Sequence, residues 1–398
     1  MIRVYLLYGL FTAIPGIFFS TWLTSLARMG FGLEDAAKSY AYFMLGQAFF
    51  ELPTGFFADR WGRKNATLLG IAIYGLGFGT VYWTSSKYLT YALLSFAGLG
   101  MTLISGAIFA WFIAVNAQVS ASKNTVPDNR RMFLNLDLIR RVNLGLGSLI
   151  GAWLVGKSPS MVWIVLGLLA VLSVLVGMGI ISDNTNAIGR PSQLWKALDG
   201  IKSLANPLLL SLLALGFLYG IETGTRDSIM QPYVVGYLSK GNAYGMVVVQ
   251  AIVAVAGIIG NRLAAFWRKN HPNSLSRIDI FMLVLPLFAM ALAQFFASRV
   301  DSLFNFGVLY FLGMIGIGWF YPSQHHVLNE LIPETYRAFA LSAVNMVSCL
   351  MQAMTCLFLA GFLTEGAIGK FWLIGAAALS TGALVVIFGA FLHFRMQK

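Results

Sequence analysis

Few residues of this 398-residue chain carry chemistry, and those few sit inside runs that otherwise avoid charge. Glu222 lies four residues before Arg226, and Asp137 lies three and four residues before Arg140 and Arg141. On a helix these spacings bring side chains together, so both sets can neutralise locally. Glu51 has no cation within one helical turn in sequence, and burial would favour its neutral form. An ionisable group inside a bilayer costs roughly 2.5–3.5 kcal/mol on insertion scales, so each retained one needs a reason. One reason is proton transfer, in which an acid takes up a proton facing one side, lets go of its cation and releases the proton to the other side. Glu51, Asp137, Arg140, Arg141, Glu222 and Arg226 are therefore candidates for proton coupling, with Glu51 foremost. The alternative reading makes Asp137 and Glu222 members of purely structural ion pairs.

Other chemistries find less support. His325 and His326 invite a metal or proton-sensing role, but helical neighbours point about 100° apart and no partner has ligand spacing, so no metal site is expected. Only four histidines occur, and neither a nucleophile elbow nor a phosphate-cradling G-x-x-x-x-G-K-[ST] loop is present, which argues against an enzyme and against ATP as energy source. Cys349 and Cys356 lie seven apart in one apolar run, roughly 10 Å at helical rise, too far to bridge.

The elements that position these groups follow from composition. The chain is 58% hydrophobic and 11% charged, with mean hydropathy +0.75. Apolar runs of about 20 residues recur throughout, each long enough to cross hydrocarbon as a helix, and the alternation of a membrane β-barrel is missing. Twelve such runs are expected, divided by the polar stretch 182–206 into six and six. The expected domains are an N-terminal six-helix bundle over 1–182, a cytoplasmic linker over 183–206 and a C-terminal six-helix bundle over 207–398. The seventh run is read as 207–226, with Glu222, Arg226 and Asp227 at its end. The formal charge of +12 comes from cations between the runs and not from a basic face, so membrane orientation explains it better than nucleic acid. With both termini cytoplasmic, most of the 27 cations fall inside. The start, Met-Ile-Arg followed by an apolar run without a small-residue cleavage site, reads as a retained first span.

Two sequence echoes link the halves. "VPDNRRMF" (126–133) before the fifth run matches "IPETYRAF" (332–339) before the eleventh, and "GFFADR" (55–60) after the second matches "GIIGNR" (257–262) after the eighth. Offsets of about half the chain are the trace of a duplicated unit.

The stretch "ELPTGFFADRWGRK" (51–64) ends an apolar run in one acid and three cations. Glu51, Gly55 and Asp59 recur every four residues and so share a helix face. Gly55 permits close approach of another helix, and the cations suit an anionic membrane surface. Gly55–Lys64 resembles the signature loop between spans two and three of the major facilitator superfamily. The preceding Glu51-x-Pro53-Thr54-Gly55 is similar to a subgroup of drug or metabolite exporters. The resemblance implies an all-α membrane protein of twelve transmembrane helices in two pseudo-symmetric six-helix halves. It also implies a cytoplasmic latch between the halves formed by Gly55, Asp59, Arg60, Gly62 and Arg63. The second copy departs from the pattern, since Asn261 replaces the acid. A plainer reading is that these charges only fix topology.

The resemblance further implies that spans one, four, seven and ten line a central cavity. Its aromatic and polar candidates are Trp22, Trp111, Asn116, Tyr219, Trp319, Tyr321, Gln324 and His325. Rings there would hold a flat or amphipathic molecule while polar groups orient it, although each ring could equally serve helix packing. "FAWFIAVNA" (109–117) lacks the acid that related sequences carry in span four, so another helix must carry any driving proton. The expected function is secondary active transport by alternating access, with proton-coupled efflux of a small amphipathic organic molecule. Uptake of a nutrient, a peptide fragment or a siderophore-like metal chelate is the alternative, with lipid flipping a variant. The expected setting is the bacterial inner membrane, where a monomer uses the proton gradient and no other cofactor.

Overall fold

The computed structural model describes residues 1–181, 206–270, 276–332, 334–363 and 368–396. The expected linker therefore lies outside the described residues, apart from Asn206. Twelve long helices follow one another among those described. They are α1 (Ile2–Arg28), α2 (Leu33–Trp61), α3 (Arg63–Thr80), α4 (Lys87–Ser122), α5 (Asn129–Lys157), α6 (Met161–Met178), α7 (Pro207–Gln231), α8 (Tyr244–Asn270), α9 (Arg277–Ala297), α10 (Leu303–Leu331), α11 (Glu334–Ala360) and α12 (Ile368–Met396). Eleven described stretches are long and apolar enough to cross a membrane, and α2, with Gln47, Glu51 and Thr54 along it, is the remaining long helix. Large apolar side chains such as Leu168, Leu172 and Leu175 on α6 and Phe388 and Phe391 on α12 stand exposed, as a lipid-facing surface requires.

Short polar residues cap several of the helices. Asp128 accepts from Arg131 N at 2.8 Å to open α5, and Asn206 accepts from Leu208 N at 2.9 Å to open α7. Ser276 and Asp279 form a reciprocal capping box at α9. These caps satisfy amides that the first helical turn leaves over.

The seventh span corrects the sequence reading. It runs on from α7 through a wide π-turn segment, Pro232–Leu238, so that Glu222, Arg226 and Asp227 lie within its length and not at its end. Charges that pair with each other interrupt the hydropathy without interrupting the helix. Pro232 contributes no amide donor, and Ser239 N bonds back to Val234 O at 2.8 Å, five residues away.

The chain divides into two compact units, Met1–Pro191 and Ser192–Lys398. In the first, α1 packs on α5 and α6, α2 on α4, and α3 on α4 and α6. In the second, α7 packs on α11 and α12, α8 on α10, and α9 on α10 and α12. The second set is the first with six added to every number, so the duplication legible in two short sequence echoes extends to the whole packing scheme. The tightest crossings also correspond. A Cβ on Gly46 of α2 would collide with the Ser95 carbonyl of α4, and one on Gly260 of α8 with the Ile315 carbonyl of α10. Small residues at such points let membrane helices pack backbone to backbone.

Candidate functional site

The turn after "ELPTGFFADR" is built around Gly62, whose φ of +88° and ψ of 144° allow α2 to stop and α3 to start at Arg63. Arg60 is exposed and Arg63 half-buried, whereas the side-chain surroundings of Gly55 and Asp59 lie outside the described residues. Lys64 reaches the end of α6, donating to Ile180 O at 2.5 Å and Met178 O at 3.1 Å. Arg3 Nη1 donates to Gly179 O at 2.6 Å in the same cluster of carbonyls. Both cations thus occupy the negative end of the α6 dipole. Their contacts place the chain start, the Gly62 turn and the end of α6 on one face of the first unit. Glu51 is half-buried, and its carbonyl accepts from Thr54 Oγ1 at 3.2 Å.

Asp137 meets both expected cations on α5. Arg141 Nε donates to Oδ2 at 2.8 Å and Arg140 Nη2 to Oδ1 at 3.0 Å. Arg141 is buried, Arg140 exposed and Asp137 intermediate, so this set spans the border between packing and solvent.

The Glu222 set is buried more deeply and extends further than its spacing showed. Glu222 has 0% exposure. Arg226 Nη1 donates to its two carboxylate oxygens at 3.0 and 3.3 Å, and Arg226 Nε donates to Asp227 Oδ1 at 3.3 Å. From α9, Gln294 Nε2 donates to Glu222 Oε1 at 2.6 Å, and from α11, Gln352 Nε2 donates to Asp227 Oδ2 at 2.8 Å. Two carboxylates therefore share one guanidinium, so the fully ionised cluster carries one net negative charge and neutralises on gaining one proton. Sequence reasoning missed Gln294 and Gln352. Their signal was a lone amide in an apolar run, but nothing in the linear order tied either one to α7.

The expected cavity residues separate into two groups. Trp22 and Trp111 are buried inside the first unit. Trp22 stacks on Tyr40 at 5.1 Å, and Trp111 Nε1 donates to Ile181 O at 3.1 Å. Of the two readings left open for these rings, cavity lining and helix packing, their burial and contacts favour packing. Asn116 is also buried and donates to Asn129 Oδ1 at 2.9 Å, tying the end of α4 to the start of α5. In the second unit Tyr219 Oη donates to Tyr321 Oη at 3.1 Å, Tyr321 is exposed, Trp319 half-buried and Gln324 buried. The His325 side chain lies outside the described residues. His326 Nε2 is 3.9 Å from Asp279 Oδ1, and no group of three or more potential metal ligands occurs among the described residues. Neither cysteine forms a disulfide, and both are buried.

Two duplicated six-helix units with charge enclosed in a span define a multi-pass membrane protein of the transporter class. The family model described as Major Facilitator Superfamily matches residues 1–356, and the chain belongs to that superfamily. Membership makes it a membrane transporter and not a catalyst. No curated protein matches it by sequence. Among solved structures, a mutant form of the nucleoside transporter NupG is similar at TM-score 0.80 and 12% identity, over 98% of this chain and 99% of that one. The POT family transporter PepTSo is similar at TM-score 0.77 and 13% identity, over 100% and 98%. A POT family transporter in complex with 5-aminolevulinic acid is similar at TM-score 0.76 and 12% identity, over 97% and 95%. At such identities the likeness shows the fold alone.

Proposed function

We propose that this protein is a proton-coupled importer of a small polar organic solute, working by alternating access of its two units. The observation that carries the reading is the cluster, buried at Glu222 and half-buried at Arg226 and Asp227, in which the two carboxylates share one guanidinium. Adding one proton to Glu222 loosens its hold on Nη1 of the guanidinium, which Asp227 keeps at Nε, and the released N–H donors become available to a solute carboxylate or another anionic group. Removing the proton restores the pair and expels the solute group. A charged site of this kind suits polar cargo better than an apolar drug. The relatives in fold named for nucleosides, peptides or 5-aminolevulinic acid support the same choice. Uptake therefore replaces efflux as the leading direction. Tyr219, Tyr321, Trp319 and Gln324 are the favoured solute contacts, with Asp137, Arg140 and Arg141 as a second charge set in the first unit and Glu51 as a secondary proton carrier. Gly55, Asp59, Arg60, Gly62 and Arg63 form the latch. The face that carries Arg3, Gly62 and Lys64 is cytoplasmic in this scheme, which places both termini inside a bacterial inner membrane.

The test is a panel of nucleosides, dipeptides and amino acids offered to proteoliposomes with an imposed proton gradient. At least one member accumulates against its gradient, and Glu222→Gln abolishes accumulation while keeping solute exchange across the membrane. Accumulation by Glu222→Gln equal to wild type overturns the coupling role. Gradient-driven movement only in the outward direction overturns import.

A further inference from the structure

A second feature lies away from the charge cluster, where the start of α9 runs beside the end of α12. Arg277, Phe281 and Val284 recur at i, i+4 and i+7 on α9, and Ile387, Phe391 and Phe394 do the same on α12. With Arg395 they line a cleft of about 650 Å³. Of these lining residues Val284 is buried, while Phe281, Ile387 and Phe391 stand exposed. The guanidinium of Arg277 lies 5.9 Å from the Phe394 ring centroid, within cation–π reach of another lining residue. Arg395 is exposed. Among the described residues neither arginine has an ion-pair partner. Asp279, two residues after Arg277, is engaged elsewhere, accepting from Ser276 N at 2.8 Å and from Ser276 Oγ at 2.7 Å.

An apolar cleft with exposed walls, lined also by two guanidiniums without ion-pair partners among the described residues, matches one molecule, a lipid with an anionic phosphate headgroup. We infer that this cleft binds an anionic phospholipid. The phosphate sits between Arg277 and Arg395, and one acyl chain lies along Phe281, Val284 and Phe391. Basic pockets between membrane helices recognise such headgroups, and arginine holds phosphate through paired N–H donors. A free phosphate would use the arginines but leave the cleft unfilled, and a neutral lipid would fill the cleft but leave the arginines uncompensated. The leaflet follows from the proposed orientation, whereas binding itself does not depend on it.

The test uses the purified full-length chain in detergent, where leaflet and transport do not enter. Retention in native mass spectrometry and the thermal shift are measured with phosphatidylglycerol, with phosphatidylcholine of matched acyl chains and with glycerol 3-phosphate. Phosphatidylglycerol is expected to bind ~tenfold or more tightly than phosphatidylcholine, a preference that Arg277→Gln with Arg395→Gln removes. The single Arg395→Gln, at an exposed site in the last turn, should lower it in the same direction should the double variant fold poorly. Equal affinity for the two lipids overturns the proposal, and so does unchanged preference in folded Arg395→Gln. Competition by glycerol 3-phosphate as effective as that by the lipid also overturns it, since the apolar lining would then contribute nothing.

Discussion

Gln294 donates its side-chain amide to Glu222 Oε1 at 2.6 Å, joining α9 to α7 across 72 residues of sequence. A Cβ on Gly375 of α12 would press against the Gln294 amide oxygen, so three helices set the position of that one carboxylate. Hydrogen bonds to a charged group contribute roughly 1.5–3 kcal/mol. Gln294→Ala should therefore lower thermal stability by about that amount, with Gly375→Ala acting in the same direction. Because both act through Glu222, their effects should shrink in a Glu222→Gln background, where the carboxylate is no longer charged. Thermal unfolding in detergent of both substitutions in each background, beside the two parents, decides it, and simple additivity would remove the link.

The glycine crossings make a paired prediction. Gly260→Leu forces α8 off the Ile315 carbonyl, and Gly46→Leu forces α2 off the Ser95 carbonyl. Overpacking of this kind costs about 1–3 kcal/mol. If the two units are packed as copies, both substitutions lower the unfolding temperature and the folded yield to a similar extent. A large loss at one and none at the other would show that the correspondence is only topological.

Lys64 tests the role of the cations at the Gly62 turn. Its ammonium closes the end of α6 through Ile180 O and Met178 O. Replacing it by Met keeps the stem and removes the donors, with an expected loss of about 0.3–1 kcal/mol for a charge at a helix terminus. Hydrogen exchange at the last turn of α6 should quicken, while α3 itself stays protected. Unchanged exchange at residues 178–181 would assign Lys64 to orientation alone.

Asp35, in the first turn of α2 ahead of the membrane span, gives a pH dependence with a definite sign. Burial raises its carboxyl, but the hydrogen bonds from Tyr91 Oη at 2.8 Å and Lys87 Nζ at 3.2 Å outweigh it, and the net position lies below the ordinary 3.8. A depressed acid stabilises the fold above its unfolded value and loses that contribution as pH falls through the folded one. Wild type should thus exceed Asp35→Asn in stability at neutral pH by under about 1 kcal/mol, since the pair is partly exposed. The gap should close only below pH 3.8. A gap that widens on acidification would contradict the assignment.

The sequence by itself determined the apolar spans, their division into two sets of six and the local ion pairs, because each depends on residues near one another along the chain. Helical spacing alone brings Asp137 to Arg141 and Glu222 to Arg226. Hydropathy failed where it averages over charge that is neutralised in place, which is why the seventh span looked shorter than the helix that forms. Only the tertiary structure decided which helices touch. It turned Trp22 and Trp111 into packing groups, set Gln294 and Gln352 against Glu222 and Asp227, and aligned Arg277 with Arg395. The physical reason is that in hydrocarbon all apolar faces are nearly equivalent to the solvent, so partner choice rests on glycine contacts and buried polar bonds between residues far apart in sequence. One-dimensional patterning does not encode those distances.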